Sequence, residues 1–238
     1  MKSGNVNQVA AYGKLVGICN DLGARYNPSK AALMPTALAT LHEQAQQSLE
    51  AVNVARVNYV LAINARQDLY AGVYPMAARI VRALAASESS RENIRDAKML
   101  KRKLAARSKP TGVVMSVSGE EGSPAPTSGR ISRLDYGGQV DTFSSLVQLV
   151  QSLPSYAPNE SDLQVAALRT MVADLHNASR TVANSANALS NARMHRNKVL
   201  FGKDGMFETG NAVKDYIRSV FGVSSEPAKQ VGKLRLAA

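Results

Sequence analysis

Apolar side chains recur every three to four residues along two stretches of this chain. In residues 159–200 one seam runs Leu168, Leu175, Val182, Leu189 and Arg196, and a second runs Met171, Ala178, Ser185, Ala192 and Val199. In residues 29–70 the same two registers read Leu38, Ala45, Val52, Tyr59, Arg66 and Leu41, Ser48, Ala55, Ala62, Leu69. An apolar repeat of 3.5 residues held over four heptads predicts long helices that pair as a coiled coil does.

The two stretches also match residue by residue. Sliding the chain by 130 positions lays Tyr26, Pro28, Leu33, Leu38, Thr40, Val52, Arg66, Gly72 and Met76 on Tyr156, Pro158, Leu163, Leu168, Thr170, Val182, Arg196, Gly202 and Met206. A shift of 131 carries Tyr12, Leu15, Val16 and Leu22 onto Phe143, Leu146, Val147 and Leu153, and Ala97, Lys98 and Leu100 onto Ala228, Lys229 and Val231. The chain therefore reads as a tandem duplication. Residues 1–107 form a first helical repeat with a basic C-terminal arm, 108–139 a Gly/Pro/Ser-rich linker, and 140–238 a second repeat.

Each repeat reads as a short amphipathic helix (9–22 and 142–153), a Tyr-x-Pro turn, a long helix (29–70 and 159–200) and a shorter helix (74–86 and 206–220). Ser29 and Asn159 suit N-caps. Gly72 and Gly202 suit left-handed C-terminal caps. Pro35 falls a turn or two inside the first long helix, where it is expected to kink or restart it. The expected fold is all-α: an elongated helical bundle in which two long helices pair about a pseudo-two-fold axis, each with flanking shorter helices. In the linker, 118–129 reads as a flexible loop, and the alternation on either side of it allows a short β-ribbon. The tail 229–236 allows a short strand.

Composition supports helices over sheets. Aromatic residues make up 5% of the chain, there is no Trp, and alanine occurs in runs such as 83, 85 and 86. Cys19 is the single cysteine, so an internal disulfide and a cysteine metal cluster are both excluded. It sits in an apolar run and reads as a small buried hydrophobe. No segment resembles a signal peptide or approaches the roughly 20 apolar residues of a membrane span, so a cytoplasmic protein is expected.

The net charge of +11 is concentrated rather than spread. Residues 91–109 carry eight Lys and Arg against Glu92 and Asp96, which makes this segment +6. Read as a helix, it has an apolar edge at Ile94, Ala97, Leu100 and Leu104 with cations around it. Arg95, Lys98, Lys101, Arg102, Lys103, Arg107 and Lys109 are the candidate phosphate- or anion-binding residues. The same helix could instead be a solvated arm packed on the bundle, or dock on an acidic protein or a membrane surface. No aromatic residues are interleaved for base stacking.

Arg66 and Arg196 occupy a seam position held elsewhere by Leu or Val. They form a candidate paired polar site related by the repeat, or simply the polar end of an apolar seam. His42, His176 and His195 have no carboxylate at the spacing used by bundle metal sites, so no metal is expected. No Gly-x-Ser-x-Gly elbow, Walker loop or dinucleotide fingerprint occurs, and no cofactor or small-molecule substrate is indicated.

The segments Tyr156-Ala157-Pro158-Asn159-Glu160 and Ala188-Leu189-Ser190-Asn191-Ala192-Arg193, with the basic run at Ala97-Lys98, resemble a set of uncharacterised, internally duplicated helical proteins of Bacteroidetes-type bacteria. That resemblance implies a bacterial protein and carries no activity or ligand. The residues themselves lead to a non-enzymatic helical interaction or scaffold protein, with a protein partner or self-association. The alternative is a nucleic-acid-associated protein that holds phosphate backbone through residues 91–109. The two differ in whether the cations of that arm point outward or pair with carboxylates of the bundle.

Overall fold

A computed structural model describes residues 3–107 and 136–236, and every regular element among them is helical. The helices are α1 (Ser3–Asp21), α2 (Pro35–Ala71), α3 (Val73–Ala85), α4 (Arg91–Arg107), α5 (Tyr136–Gln151), α6 (Val165–Phe201), α7 (Met206–Phe221) and α8 (Glu226–Lys233). Short 3-10 turns at Gly23–Arg25 and Ala31–Leu33 lead into α2. The flexible loop at 118–129 and the ribbon allowed beside it lie outside the described residues. The tail is a helix, not a strand: Ser225 caps α8 by accepting from the Ala228 amide at 3.3 Å, and Pro227 fits its first turn.

The two long helices are each 37 residues and begin 130 residues apart, at Pro35 and Val165. Both start later than Ser29 and Asn159 suggested. Pro35 is the first residue of α2, where its missing N–H is one the helix leaves unbonded anyway, so it starts the helix and does not kink it. Gly72 has φ −76°. The positive-φ glycines among the described residues are Gly23 and Gly222, so neither Gly72 nor Gly202 is a left-handed cap. A Cβ on Gly202 would run into the carbonyl oxygen of Lys198, so the glycine there answers a close approach of the chain to itself.

The first seam is buried along most of both helices, with Tyr59 and Arg66 half-buried; the second seam is mostly half-buried, and Leu69 at its end in α2 is exposed. Leu38, Ala45, Leu168 and Leu175 are fully inaccessible, and Val52, Val182, Leu189 and Arg196 nearly so. Residues 3–57 and 187–236 form one compact unit, and residues 58–107 and 136–186 form another, so each long helix gives its two ends to different units. A sequence repeat and a compact unit are thus different divisions of this chain.

In the first unit, α1 contributes Tyr12, Leu15, Val16 and Cys19 to a core completed by Leu38, Ala45, Leu200, Met206, Val213 and Ile217. In the second, α5 contributes Phe143, Leu146, Val147 and Val150 to a core with Tyr70, Ile80, Leu84, Leu168 and Leu175. The α1 and α5 residues correspond at the 131 shift. Full burial of one such aliphatic side chain stabilises by about 1.5–3 kcal/mol, so these cores are the main source of each unit's cohesion.

The register of the shorter helices differs from the sequence match. α3 buries Val73, Ala77, Ile80, Val81 and Leu84, and α7 buries Met206, Gly210, Val213, Lys214 and Ile217. These sets correspond at a shift of 133, so Met206 stands where Val73 does, and not where Met76 does. The difference arises at the junction. Only Gly72 separates α2 from α3, whereas residues 202–205 separate α6 from α7. Asp204 takes φ 56° in that turn, and its amide donates to Glu208 Oε2 at 2.9 Å. Phe201 and Phe207 stack across the turn with centroids 4.9 Å apart.

Candidate functional site

α4 begins where Ser90 accepts from the Asn93 amide at 3.2 Å, with Glu92 in the first turn to complement the helix dipole. Ala97 and Leu104 are buried on its inner side, with Ile94 and Leu100 packed beside them against α3 and α5. Burial of that edge fixes which way the rest of the helix faces.

The outward side is cationic. Arg91, Arg95, Lys98, Arg102 and Lys103 are exposed, and Lys101 is half-buried. Arg91, Arg95, Lys98 and Arg102 follow each other at i, i+4, i+7 and i+11, which places all four on one stripe about 16 Å long. Glu92 and Asp96 lie a quarter-turn or more around the helix from that stripe, on the side of Lys103. Among the described residues, no carboxylate comes within ion-pair distance of any of these six cations. Arg107 ends α4, and Lys109 lies outside the described residues. Arg91 was not among the residues singled out from sequence. It is counted in the charge of residues 91–109, and the i, i+4, i+7, i+11 spacing is the signal that sets it on the same face as Arg95, Lys98 and Arg102.

Arg66 and Arg196 fall in different units, each with its own surroundings. The Arg66 guanidinium lies 4.0 Å over the Tyr136 ring, a cation–π contact, and that ring meets Tyr70 edge-on at 4.7 Å. The Tyr70 hydroxyl shares a 3.0 Å hydrogen bond with Ser179 Oγ. Arg196 is nearly buried and donates through Nη2 to Asn197 Oδ1 at 2.8 Å.

One open cleft of about 610 Å³ lies in the second unit between the end of α3 and the Tyr156-Ala157-Pro158 turn. Arg79, Arg82, Ser87, Asn159 and Glu160 line it. Arg79 is ion-paired with Asp162, whose carboxyl that hydrogen bond holds below the usual carboxylate range. The Tyr156 phenol at the cleft is pushed up to about 12, chiefly by burial, and donates to Leu163. Its polar groups are thus partly committed to one another.

Among the described residues, no three His, Cys, Asp or Glu side chains gather in a way that could hold a metal ion. His42 packs against Tyr12 with ring centroids 6.2 Å apart. No helix among the described residues is long and apolar enough to cross a membrane. No family model, curated protein or solved structure matches this chain.

Proposed function

We propose that this chain is a non-enzymatic, nucleic-acid-associated protein that holds the phosphate backbone on the outer face of α4. One observation carries this reading: four exposed cations stand in a single stripe and none is neutralised by a carboxylate among the described residues. A solvated arm packed on the bundle by its apolar edge shares the buried Ala97 and Leu104, so the binding test below separates the two readings. Unpaired Arg and Lys on one face are the electrostatic footprint that phosphate contacts require. A bacterial, cytoplasmic setting belongs to the same reading.

The test is binding of a labelled duplex and a single-stranded oligonucleotide at low salt. The full-length chain is compared with a variant carrying Arg91→Gln, Arg95→Gln, Lys98→Gln and Arg102→Gln. All four positions are exposed, so the variant should keep its fold, as circular dichroism would report. Binding that the variant loses supports the reading. Absence of binding, or binding that the variant retains, removes it.

A second reading, self-association with another copy of this chain, draws on α2. Val54, Val57 and Leu61 are 49%, 50% and 58% exposed at i, i+3 and i+7 on its outer side. The positions 130 residues later are Asn184, Asn187 and Asn191, so α6 is polar where α2 is apolar. The duplication itself is part of this proposal. It is supported by the equal long helices and by the matching tyrosine hydrogen bonds at Leu33 and Leu163.

A further inference from the structure

Resting on the phosphate-binding reading, we infer that the α4 stripe takes duplex nucleic acid and reads no base sequence.

The first argument is the side chains on offer. A helix that reads bases in the major groove presents a mix of groups, Arg or Lys for guanine and Asn or Gln for adenine, because each base pair shows its own pattern of donors and acceptors there. Ala97 and Leu104 of α4 are buried, with α3 and α5 packed along it, which leaves its other side for contact. The stripe on that side is Arg91, Arg95, Lys98 and Arg102, a uniform row of cations that suits phosphate oxygens and positioning.

The second argument is the absence of a stacking platform. Single strands are held by aromatic rings on which successive bases stack, at about 1–3 kcal/mol per base. α4 carries no aromatic residue; the large apolar side chain most exposed on it is Met99. A single strand ordered on this face would lose conformational entropy without that compensation.

The third argument is charge density. Duplex DNA presents one charge per about 1.7 Å of axis over both strands, so the axis length of the stripe, about 16 Å, carries roughly nine phosphate charges wound around the duplex and already held in place. The helix backbone that carries the cations is fixed by packing, so with a duplex the ordering cost falls mainly on the Arg and Lys side chains, whereas a single strand must be ordered as well.

The experiment uses the full-length chain and labelled 20-mers in fluorescence anisotropy at about 50 mM salt. Two unrelated sequences are each presented as DNA duplex, RNA duplex and the corresponding single strands. The inference predicts that at least one duplex form binds about ten-fold or more tightly than its single strands. It also predicts that the two sequences agree within about two-fold, and that the four-Gln variant weakens duplex binding about ten-fold or more. DNA and RNA duplexes side by side identify which helical form is preferred. Single strands bound as well as or better than both duplexes would overturn the inference and leave the phosphate reading standing. A sequence preference of about ten-fold would overturn the backbone-only claim. Failure of every nucleic acid to bind would remove the parent reading as well.

Discussion

The phenol of Tyr26 donates to the carbonyl oxygen of Leu33 across 2.8 Å, tying the turn before α2 to itself seven residues on. Tyr156 does the same to Leu163 at 3.0 Å. Both rings are buried, so each hydroxyl has exchanged water for partners inside the protein, and Tyr26 also meets the Cys19 thiol. Replacing Tyr26 or Tyr156 by Phe keeps the packing and removes the donor. Each single substitution should lower unfolding free energy by about 1–2 kcal/mol, read from denaturant midpoints. Unchanged midpoints in both variants would mean that these hydrogen bonds do not latch the turns.

Cys19 is fully inaccessible, and its thiol is pushed up to about 11, mainly by burial. A group whose pKa rises on folding gives its full stability below the unfolded value and loses it as pH climbs through the folded one. The window here runs from about 9 to about 11. Val150 holds the corresponding place in α5, so Cys19→Val is a fitting replacement. The wild-type chain should lose on the order of 2 kcal/mol across that window that the variant keeps. Thermal melts across the alkaline range would show it. Superimposable profiles would place the alkaline loss on Tyr12, Tyr26 and Tyr156, whose pKa values burial also raises.

Gly202 closes α6 with no room for a side chain, because a Cβ would meet the Lys198 carbonyl oxygen. That neighbour is backbone and cannot swing aside. Gly202→Ala should destabilise by about 1–3 kcal/mol, despite alanine's better helix propensity. Gly72→Ala, where the nearest atom is 3.4 Å from the new Cβ, should cost much less. Equal denaturation midpoints for the two variants would contradict this difference between the junctions.

These junctions mark the limit of what the sequence made legible. Heptad spacing located the buried seam of both long helices, because side chains one heptad apart share a face whatever surrounds them. Leu38, Ala45, Leu168 and Leu175 are buried accordingly. Turn geometry was less legible. Pro35 can kink a helix or start one, and only the preceding 3-10 turn decides. The residues at 202–205 moved the α7 register by three, which an ungapped match of Met76 to Met206 conceals. In the tail, the Ser225-Glu226-Pro227 helix start outweighed the alternation that allowed a strand. At the candidate site the cationic segment was visible as composition. That Arg91, Arg95, Lys98 and Arg102 meet no carboxylate among the described residues depended on where α3 and α5 pack.

Val57 and Leu61 are at least half exposed, so replacing them should cost little of the fold. Val57→Gln with Leu61→Gln should change unfolding free energy by no more than about 0.5 kcal/mol per site. If a second copy docks on this side of α2, the mass measured by light scattering should rise with concentration in the wild-type chain and not in the variant. A wild-type mass that stays constant at one chain would remove the self-association reading.

The measurement that tests the central claim most directly is the salt dependence of duplex DNA binding. Four phosphate contacts by Arg91, Arg95, Lys98 and Arg102 predict a slope of log K against log salt near −3.6, because each contact contributes about −0.9. That slope corresponds to a loss of roughly 150-fold between about 50 and 200 mM salt. Each single Gln substitution at these positions should reduce the slope by about 0.9. A slope that is unchanged by all four substitutions, or near zero in the wild-type chain, would contradict the assignment of α4 as the phosphate-binding face.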